Sequence, residues 1–374
     1  MLKDWKSNEM KFTLFTKGTA TRILGMSIAS ISLRMQGKVP NGISVWYFPE
    51  PSISLGYFQD IDTDIDLELA KKHNIEICRR LEGMGGGVIF LDPEGFMGIG
   101  ILADKTIFSS MQEAFYKSGT ALTEMYKILG VKDAKYYPPD DVRAERSGRK
   151  MGAVGVTEVG GLYLINSSNF PGYISSDLLP QIARIPEEKW KDKKIKSFGE
   201  YQGGVEAETG HRPDPYEFAS AAYKAFGKVF GVKFRIGEYT EEEWEMCEDF
   251  AVKAQSDEHM FAVSSKRRFG KIPPDHKYGI GRYKSRKLVE SRVLLDSKGI
   301  IKDMFFCGDF YAKPVPVLRE MEESLKGVSA KDEKTMLEKI KAAYQKPNWE
   351  TSEISPEDFL KALVAGCQAA LESG

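Results

Sequence analysis

Apolar residues recur at helical spacing from Thr21 to Met35, where Ile23, Leu24, Ile28, Ile31 and Leu33 mark one buried face. Pro40-Asn41-Gly42 ends that pattern. Ile43–Phe48 then alternates as a strand, and Pro49-Glu50-Pro51 turns the chain into a second strand over Ser52–Gly56. Asp64–His73 reads as a short helix capped by Asp62 or Asp64, and Ile75–Cys78 as the next strand. Val88–Phe90 and Gly98–Leu102 are predicted strands around an Asp92-Pro93-Glu94-Gly95 turn, and Phe108–Leu129 a helix. A stiff loop is expected over Tyr136–Asp141, followed by strands over Met151–Thr157 and Gly161–Asn166. Hairpin turns outnumber strand–helix–strand crossovers, so the pattern predicts an α+β sheet domain and not a doubly wound one.

Residues 172–212 are polar and irregular, and the lysine run Lys189–Lys196 reads as solvated surface. Pro215–Phe230 and Glu241–Gln255 are amphipathic helices, and Phe269–Pro274 reads as a linker. Strands at Ser285–Asp296 and Ile300–Gly308 flank a Ser297-Lys298-Gly299 turn. Helices follow at Pro316–Lys326, Ala330–Tyr344 and Pro356–Glu372, the last with Ser355 ahead of a proline in its first turn. At 374 residues the chain exceeds one ordinary core. The expected division is a variable leader at 1–20, a large domain at 21–268 and a small α+β domain at 269–374.

The 53 basic and 54 acidic residues leave a net charge of −1, which argues against nucleic acid as the main partner. Cys78, Cys247, Cys307 and Cys367 are far apart with no CxxC pair, against a disulfide framework or structural zinc. The four histidines are equally scattered. No apolar run is long enough to cross a bilayer, and the first residues lack the apolar stretch of a secretory signal. A soluble, reducing, cytoplasmic setting without membrane partners is expected.

Chemistry concentrates in two places. Arg79-Arg80 runs through Leu81-Glu82-Gly83-Met84 into Gly85-Gly86-Gly87 and then Val88-Ile89-Phe90-Leu91-Asp92. Glycines let backbone N–H groups approach a ligand, and successive N–H groups form an anion-binding concavity. Arginine adds a donor fork suited to phosphate or carboxylate. The two arginines alternate along a strand, so one is expected to face the site and the other to sit in a surface pair. The second place is Gly148-Arg149-Lys150, after Asp140 and Asp141, which read as turn-makers.

In this order the motifs resemble those of the lipoate–protein ligase family, within the biotin/lipoate ligase superfamily. Arg79-Arg80 with Gly85–Asp92 is similar to the family's RRxSGGG(A/T)V(F/Y)HD run. Arg149-Lys150 ahead of Leu162-Tyr163-Leu164-Ile165-Asn166 resembles its RKxSGSA lysine motif and the following strand. Thr240–Asp257 resembles the end of the catalytic domain, and Gly299–Phe310 the strand pair of the accessory domain.

The resemblance implies a ligase-like mixed sheet domain with flanking helices and a small α+β accessory domain. It implies that lipoate, or a similar acyl acid, reacts with ATP and Mg²⁺ to give acyl-adenylate and pyrophosphate. A lysine of a small lipoyl-acceptor domain then takes the acyl group. By position, Lys150 would bridge the acyl carbonyl and the α-phosphate. The backbone of Gly85, Gly86 and Gly87, with Val88 beside it, would lie along the acyl chain and adenylate. Arg79 or Arg80 would face carboxylate or phosphate, and Asp92 would hold the loop. Gly152 would adjoin the lysine, and Asn166 would reach the adenine or the acyl end. A metal ligand set is not specified. The implied alternatives are an octanoyl or lipoyl transferase that needs no ATP, and a degenerate binder of acyl or nucleotide ligands. The chain departs from the pattern in four places. Two extra residues and no serine precede the triple glycine, Leu91 replaces the usual histidine, Met151-Gly152-Ala153-Val154-Gly155 replaces the small and hydroxyl residues after the lysine, and Val159-Gly160-Gly161 stands where a histidine-containing stretch often precedes the next strand.

Overall fold

The computed structural model describes residues 5–82, 84–138, 140–174, 177–184, 204–351 and 353–373; the lysine run at 189–196 lies outside them. The described strands are β1 (Glu9–Lys17), β2 (Gly42–Tyr47), β3 (Ser52–Leu55), β4 (Glu76–Arg79), β5 (Ile89–Leu91), β6 (Met97–Asp104), β7 (Ala134–Tyr137) and β8 (Asp141–Ala144). They continue with β9 (Lys150–Val159), β10 (Leu162–Asn169), β11 (Lys233–Ile236), β12 (Lys277–Lys284), β13 (Leu288–Leu295), β14 (Ile301–Gly308), β15 (Ala312–Lys313) and β16 (Glu350–Thr351). Among the described residues no helix is long and apolar enough to cross a membrane.

The described residues fall into two compact units. The first takes in those of 5–52, 90–179 and 204–255; the second takes in 53–89, 180–184 and 256–373.

The first unit is built on a mixed sheet in the order β11-β1-β2-β6-β10-β9-β8-β7. β1 runs parallel to β2 and β11, and the remaining pairs are antiparallel. Strand residues alternate between faces. One face carries Phe12, Ile43, Val45, Ile99, Ile101, Tyr163 and Ile165 into the main core, with Leu122 and Met125 of the Met111–Ile128 helix and Phe218 and Phe226 of the Pro215–Phe230 helix. Beside the opposite face run the Ala20–Met35 and Glu241–Ala254 helices, which pack so closely that a Cβ on Gly25 would lie 2.6 Å from the Cys247 carbonyl.

Residues 9–17, expected in a variable leader, are instead β1, an interior strand of this sheet. Met10 and Phe12 enter the core, while Lys11 on the other face is held by the Glu243 carboxylate at 3.1 Å. Of the loop expected over Tyr136–Asp141, Tyr136 and Tyr137 instead end β7 and Asp141 opens β8, in antiparallel register.

The second unit centres on the antiparallel sheet β12-β13-β14, with the smaller sheets β4-β3-β5 and β15-β16. Val289, Val293, Met304 and Phe306 pack with Leu318, Phe359 and Leu363. β12 was not anticipated from the sequence, because its glycines resemble a turn. They are there because the Pro356–Glu372 helix lies directly on the strand: a Cβ on Gly279 would be 2.1 Å from the Gly366 carbonyl, and one on Gly281 2.0 Å from that of Ala362.

These compact units do not follow a single cut at residue 268. Polar contacts tie 53–89 to the C-terminal part of the chain. Arg292, fully buried, pairs with Asp60 at 3.0 Å and Glu290 at 3.1 Å and donates to the Thr63 hydroxyl at 2.8 Å. Asp62 accepts from the Ser264 hydroxyl at 2.6 Å and the Lys266 N–H at 2.9 Å. Arg268, inside the expected large domain, binds Asp303 and Glu322.

Candidate active site

The face of the first unit's sheet turned away from its main core carries a continuous row in strand register. Trp46 on β2 is opposite Gly98 on β6, then Ser168 on β10, Ala153 on β9, Asp141 on β8 and Tyr137 on β7. The next row holds Ser44, Gly100, Asn166 and Gly155. Two aromatic residues therefore bound a strip of small residues. The space over the β6 glycines is taken by the indole: a Cβ on Gly98 would come within 3.1 Å of Trp46, and one on Gly100 within 2.3 Å. A cleft lined by Met26, Ser30, Ser44, Trp46, Gly100 and Leu164 opens at this end of the strip.

Three buried polar atoms on this face, Thr13 Oγ1, Trp46 Nε1 and Asn166 Oδ1, have no hydrogen-bond partner among the described residues. A buried polar atom left unsatisfied is costly.

Lys150 opens β9 at the other end of the strip. A register shift between Val142 and Arg143 puts Lys150 opposite Arg143 and sends Met151 into the core. The Lys150 ammonium is 2.6 Å from Asp141 Oδ1, and Arg143 grips Oδ2 of the same carboxylate at 2.7 Å. Burial alone would raise the Asp141 carboxyl; Lys150, then Arg143, outweigh it and hold it below the usual carboxylate range. Asp141, read as a turn-maker from the sequence, is thus the counter-ion that fixes Lys150.

The other predicted residues have clear positions. Asn166 lies on the strip. Gly152 faces the core, where a Cβ would meet the Tyr126 hydroxyl at 2.5 Å and the Ser168 carbonyl at 2.8 Å. Asp92, fully buried, accepts from the N–H groups of Glu94 and Gly95 at 3.0 and 2.9 Å and so holds its own turn.

Arg79, Arg80, Gly85, Gly86, Gly87 and Val88 belong to the second unit. Neither arginine is in the surface pair expected of one of them. Arg79 is fully buried and donates to the carbonyls of Gly56, Tyr57, Gln59, Met260 and Val263 at 2.7–3.2 Å. Arg80 donates to the carbonyls of Ser54, Gly85 and Gly87 and to the Ser54 hydroxyl. Burial draws both guanidinium groups down to about 10, so they stay charged at neutral pH. The glycines answer a packing demand as well. A Cβ on Gly85 would sit 1.8 Å from the Phe310 carbonyl, and Gly86 has φ +88°, in the region that favours glycine. Val88 is half-buried just before β5.

All four cysteines are buried and none is in a disulfide. Burial pushes Cys247 up to about 11, Cys367 up to about 12 and Cys307 well above its usual value. Among the described residues no group of three His, Cys, Asp or Glu is placed to hold a metal ion.

Sequence reasoning passed over Trp46, Gly98, Gly100, Ala153, Ser168 and Arg143. A local signal exists for one part: Gly98-Ile99-Gly100-Ile101 is a strand with isoleucine on one face and nothing on the other.

Residues 30–227 match the lipoyl protein ligase A/B catalytic domain. The chain is 22% identical over 236 residues to octanoyltransferase LipM of Oceanobacillus iheyensis, covering 59% of this chain and 85% of that protein. It is 27% identical over 224 residues to lipoate-protein ligase A subunit 1 of Thermoplasma acidophilum, covering 57% and 81%. Its fold resembles that of P. falciparum LipL1 in complex with lipoate, with a TM-score of 0.60, 14% identity and coverage of 95% and 98%.

Proposed function

Because the chain belongs to the lipoyl protein ligase A/B catalytic domain family, we propose that it attaches lipoate or a related acyl acid to a lysine of a small acceptor domain, with Lys150 as the group that holds the reacting carboxyl. The observation that carries this reading is the register row from Asp141, whose carboxylate holds the ammonium of Lys150 on β9, across small residues to Trp46. From β9 to β2 it crosses three inter-strand spacings, roughly 14 Å. An extended octanoyl or lipoyl chain fits such a span with its carboxyl at the cation and its tail at the indole. The unpartnered Asn166 and Trp46 atoms supply polar contacts along the way.

In the finer form of the proposal, the acyl carboxylate attacks the α-phosphorus of ATP and displaces pyrophosphate. The acceptor amine then attacks the acyl carbon, an amide forms, and AMP leaves with the acyl oxygen it shared; the amine's proton goes to solvent. Both steps build negative charge on oxygen. A cation already fixed at those oxygens stabilises that charge without reorganising, an effect on the order of 3 kcal/mol for one such donor. Mg²⁺ would arrive with the nucleotide phosphates. One observation favours the ATP route: all four cysteines are buried, and burial raises Cys247, Cys307 and Cys367, so none of these three is an activated thiol nucleophile.

A second reading, transfer from an octanoyl carrier without ATP, is favoured by the relatives named octanoyltransferase LipM. The test is mass spectrometry of an apo acceptor domain after incubation with the full chain. One arm contains ATP, Mg²⁺ and lipoate or octanoate; the other contains octanoyl carrier without nucleotide. Mass gain and pyrophosphate release in the first arm are the expected result. Gain in the second arm alone replaces the ATP route with carrier transfer, and no gain in either removes the enzymatic proposal.

A further inference from the structure

We propose that Gln59, oriented by the buried carboxylate of Asp64, is a positioning residue for the glycine segment 85–87. All of these residues belong to the second unit. Asp60, Asp64 and Glu290 are buried near Arg292, which is itself fully buried. That guanidinium gives its donors to Asp60, Glu290, the Thr63 hydroxyl and the Ser291 carbonyl. Among the described residues no cation is bonded to Asp64. Its Oδ1 accepts from the Thr63 hydroxyl at 2.9 Å and its Oδ2 from Gln59 Nε2 at 3.2 Å. Burial, then the Glu290 charge, draw this carboxyl up to about 7, against the pull of Arg292; with or without a proton on Oδ1, Oδ2 remains an acceptor. A buried carboxylate without a cation is costly, and an apolar side chain of similar size would avoid that cost.

The carboxylate fixes an amide. A carboxamide has donors on one side and an acceptor on the other, and a half-turn exchanges the two. Asp64 Oδ2 faces the Nε2 side, so Oε1 is turned to the Gly56 N–H, which donates to it at 3.0 Å. Gln59 is buried, and its backbone is bound as well: its N–H donates to the Gly56 carbonyl at 3.1 Å, and its carbonyl accepts from Arg79 at 2.8 Å. A buried network of this kind, satisfied at both ends, holds one arrangement.

Gly56 is where the network meets the glycine segment. A Cβ there would lie 1.9 Å from the Gly86 carbonyl oxygen and 2.9 Å from Arg80 Nη2, so the two stretches of backbone touch. The next residue, Tyr57, donates its N–H to the Met84 carbonyl at 3.1 Å. A displacement of Gly56 therefore displaces Gly86. Arg79 holds the Gly56 carbonyl and Arg80 the Gly85 and Gly87 carbonyls, while the Gly56 N–H is held by Gln59. This inference deepens the acyl-transfer reading and rests on it for what the segment binds; the positioning itself does not depend on that reading.

Hydrogen exchange of peptides spanning residues 84–88, read by mass spectrometry on the full chain, tests the positioning without any ligand. Gln59→Met nearly keeps the side-chain volume and removes both amide bonds; Asp64→Leu removes the acceptor that orients the amide. Each should speed exchange of the segment about tenfold, the effect of one lost buried hydrogen bond. Asp64→Asn keeps an oxygen for Nε2 and should exchange as the parent does. Thr63→Val removes bonds to Asp64 and Arg292 but none to Gln59. It should lower stability in urea and leave exchange of the segment unchanged. Unchanged exchange in Gln59→Met, or an equal rise in Thr63→Val, would overturn the proposal. Acyl-transfer kinetics give the second readout. In Gln59→Met the KM for the acyl or nucleotide substrate should rise about tenfold with kcat near the parent's, and an unchanged KM overturns the positioning role. Absence of transfer by the parent, with the exchange pattern as expected, removes the acyl-transfer reading and keeps the Gln59 assignment.

Discussion

Replacing Lys150 by methionine separates a chemical role from a structural one. The side chain is 20% exposed and its ammonium is 2.6 Å from an Asp141 carboxylate that is itself 12% exposed. Removing it takes one charge-assisted bond from a mostly buried carboxylate that still keeps Arg143 at 2.7 Å. The stability cost should be about 1–3 kcal/mol, below that of a buried charge left with no partner. Loss of a preorganised donor at the reacting oxygens should cost roughly 3–4 kcal/mol in the barrier, a rate loss on the order of 10²–10³. The Lys150→Met, Asp141→Asn double variant separates the two effects. The buried carboxylate is then gone and the charge that loses it, Arg143, is 40% exposed, so the unfolding free energy in urea should return toward that of the parent, while acyl transfer should stay as low as in Lys150→Met. Transfer to an apo acceptor domain, followed by mass spectrometry under single-turnover conditions, reads the second quantity. If activity recovers along with stability in the double variant, Lys150 is a structural partner of Asp141 and the catalytic assignment fails.

Gly155 and Gly152 should behave oppositely. A Cβ at Gly155 meets nothing nearer than 3.8 Å, so Gly155→Val should fold with a melting temperature close to the parent's while raising the KM for lipoate by filling the strip; an unchanged KM would remove the strip as the acyl path. Gly152→Ala puts a methyl 2.5 Å from the Tyr126 hydroxyl and should cost a few kcal/mol in urea unfolding, as overpacked cores do. In the second unit, burial and then the Glu290 carboxylate push Asp64 up to about 7, against the pull of Arg292. Its folded value lies above its unfolded one, so its proton stabilises the fold fully below about pH 4, and that contribution is lost as pH rises to about 7. Unfolding free energies of Asp64→Asn should fall less over that window than those of the parent; parallel curves would contradict the assignment.

Elements whose reason is local were legible in the sequence. Pro215–Phe230 and Pro356–Glu372 each begin with proline behind a capping box, and their bounds match the structure. The β9 and β10 pair and Lys150 were also visible, because the lysine motif and the alternating strand are contiguous. What was missed depends on residues far away in the chain. Lys11 makes β1 look polar and exposed, and only Glu243, 232 residues later, explains how it can be buried. The glycines of β12 look like a turn until the helix that lies on them is known. Arg79 and Arg80 were chosen for their charge, yet a guanidinium has five donors, and in both residues backbone carbonyls of the same unit take them up.

That last case changes how the glycine segment should be weighed. A glycine-rich loop next to arginines reads as an anion site because glycine exposes N–H donors and arginine adds more. Here the arginines bind carbonyl oxygens, including those of Gly85 and Gly87, and so fix the loop's shape from behind. Direct charge on the first unit's site sheet comes instead from Lys150, Arg143 and Lys135, which register alone aligns, because β8 and β9 slip by one residue at Met151. Without that slip, strand alternation would turn Lys150 to the core face and part it from Asp141. The bulge is therefore as necessary to the proposed chemistry as the lysine it positions.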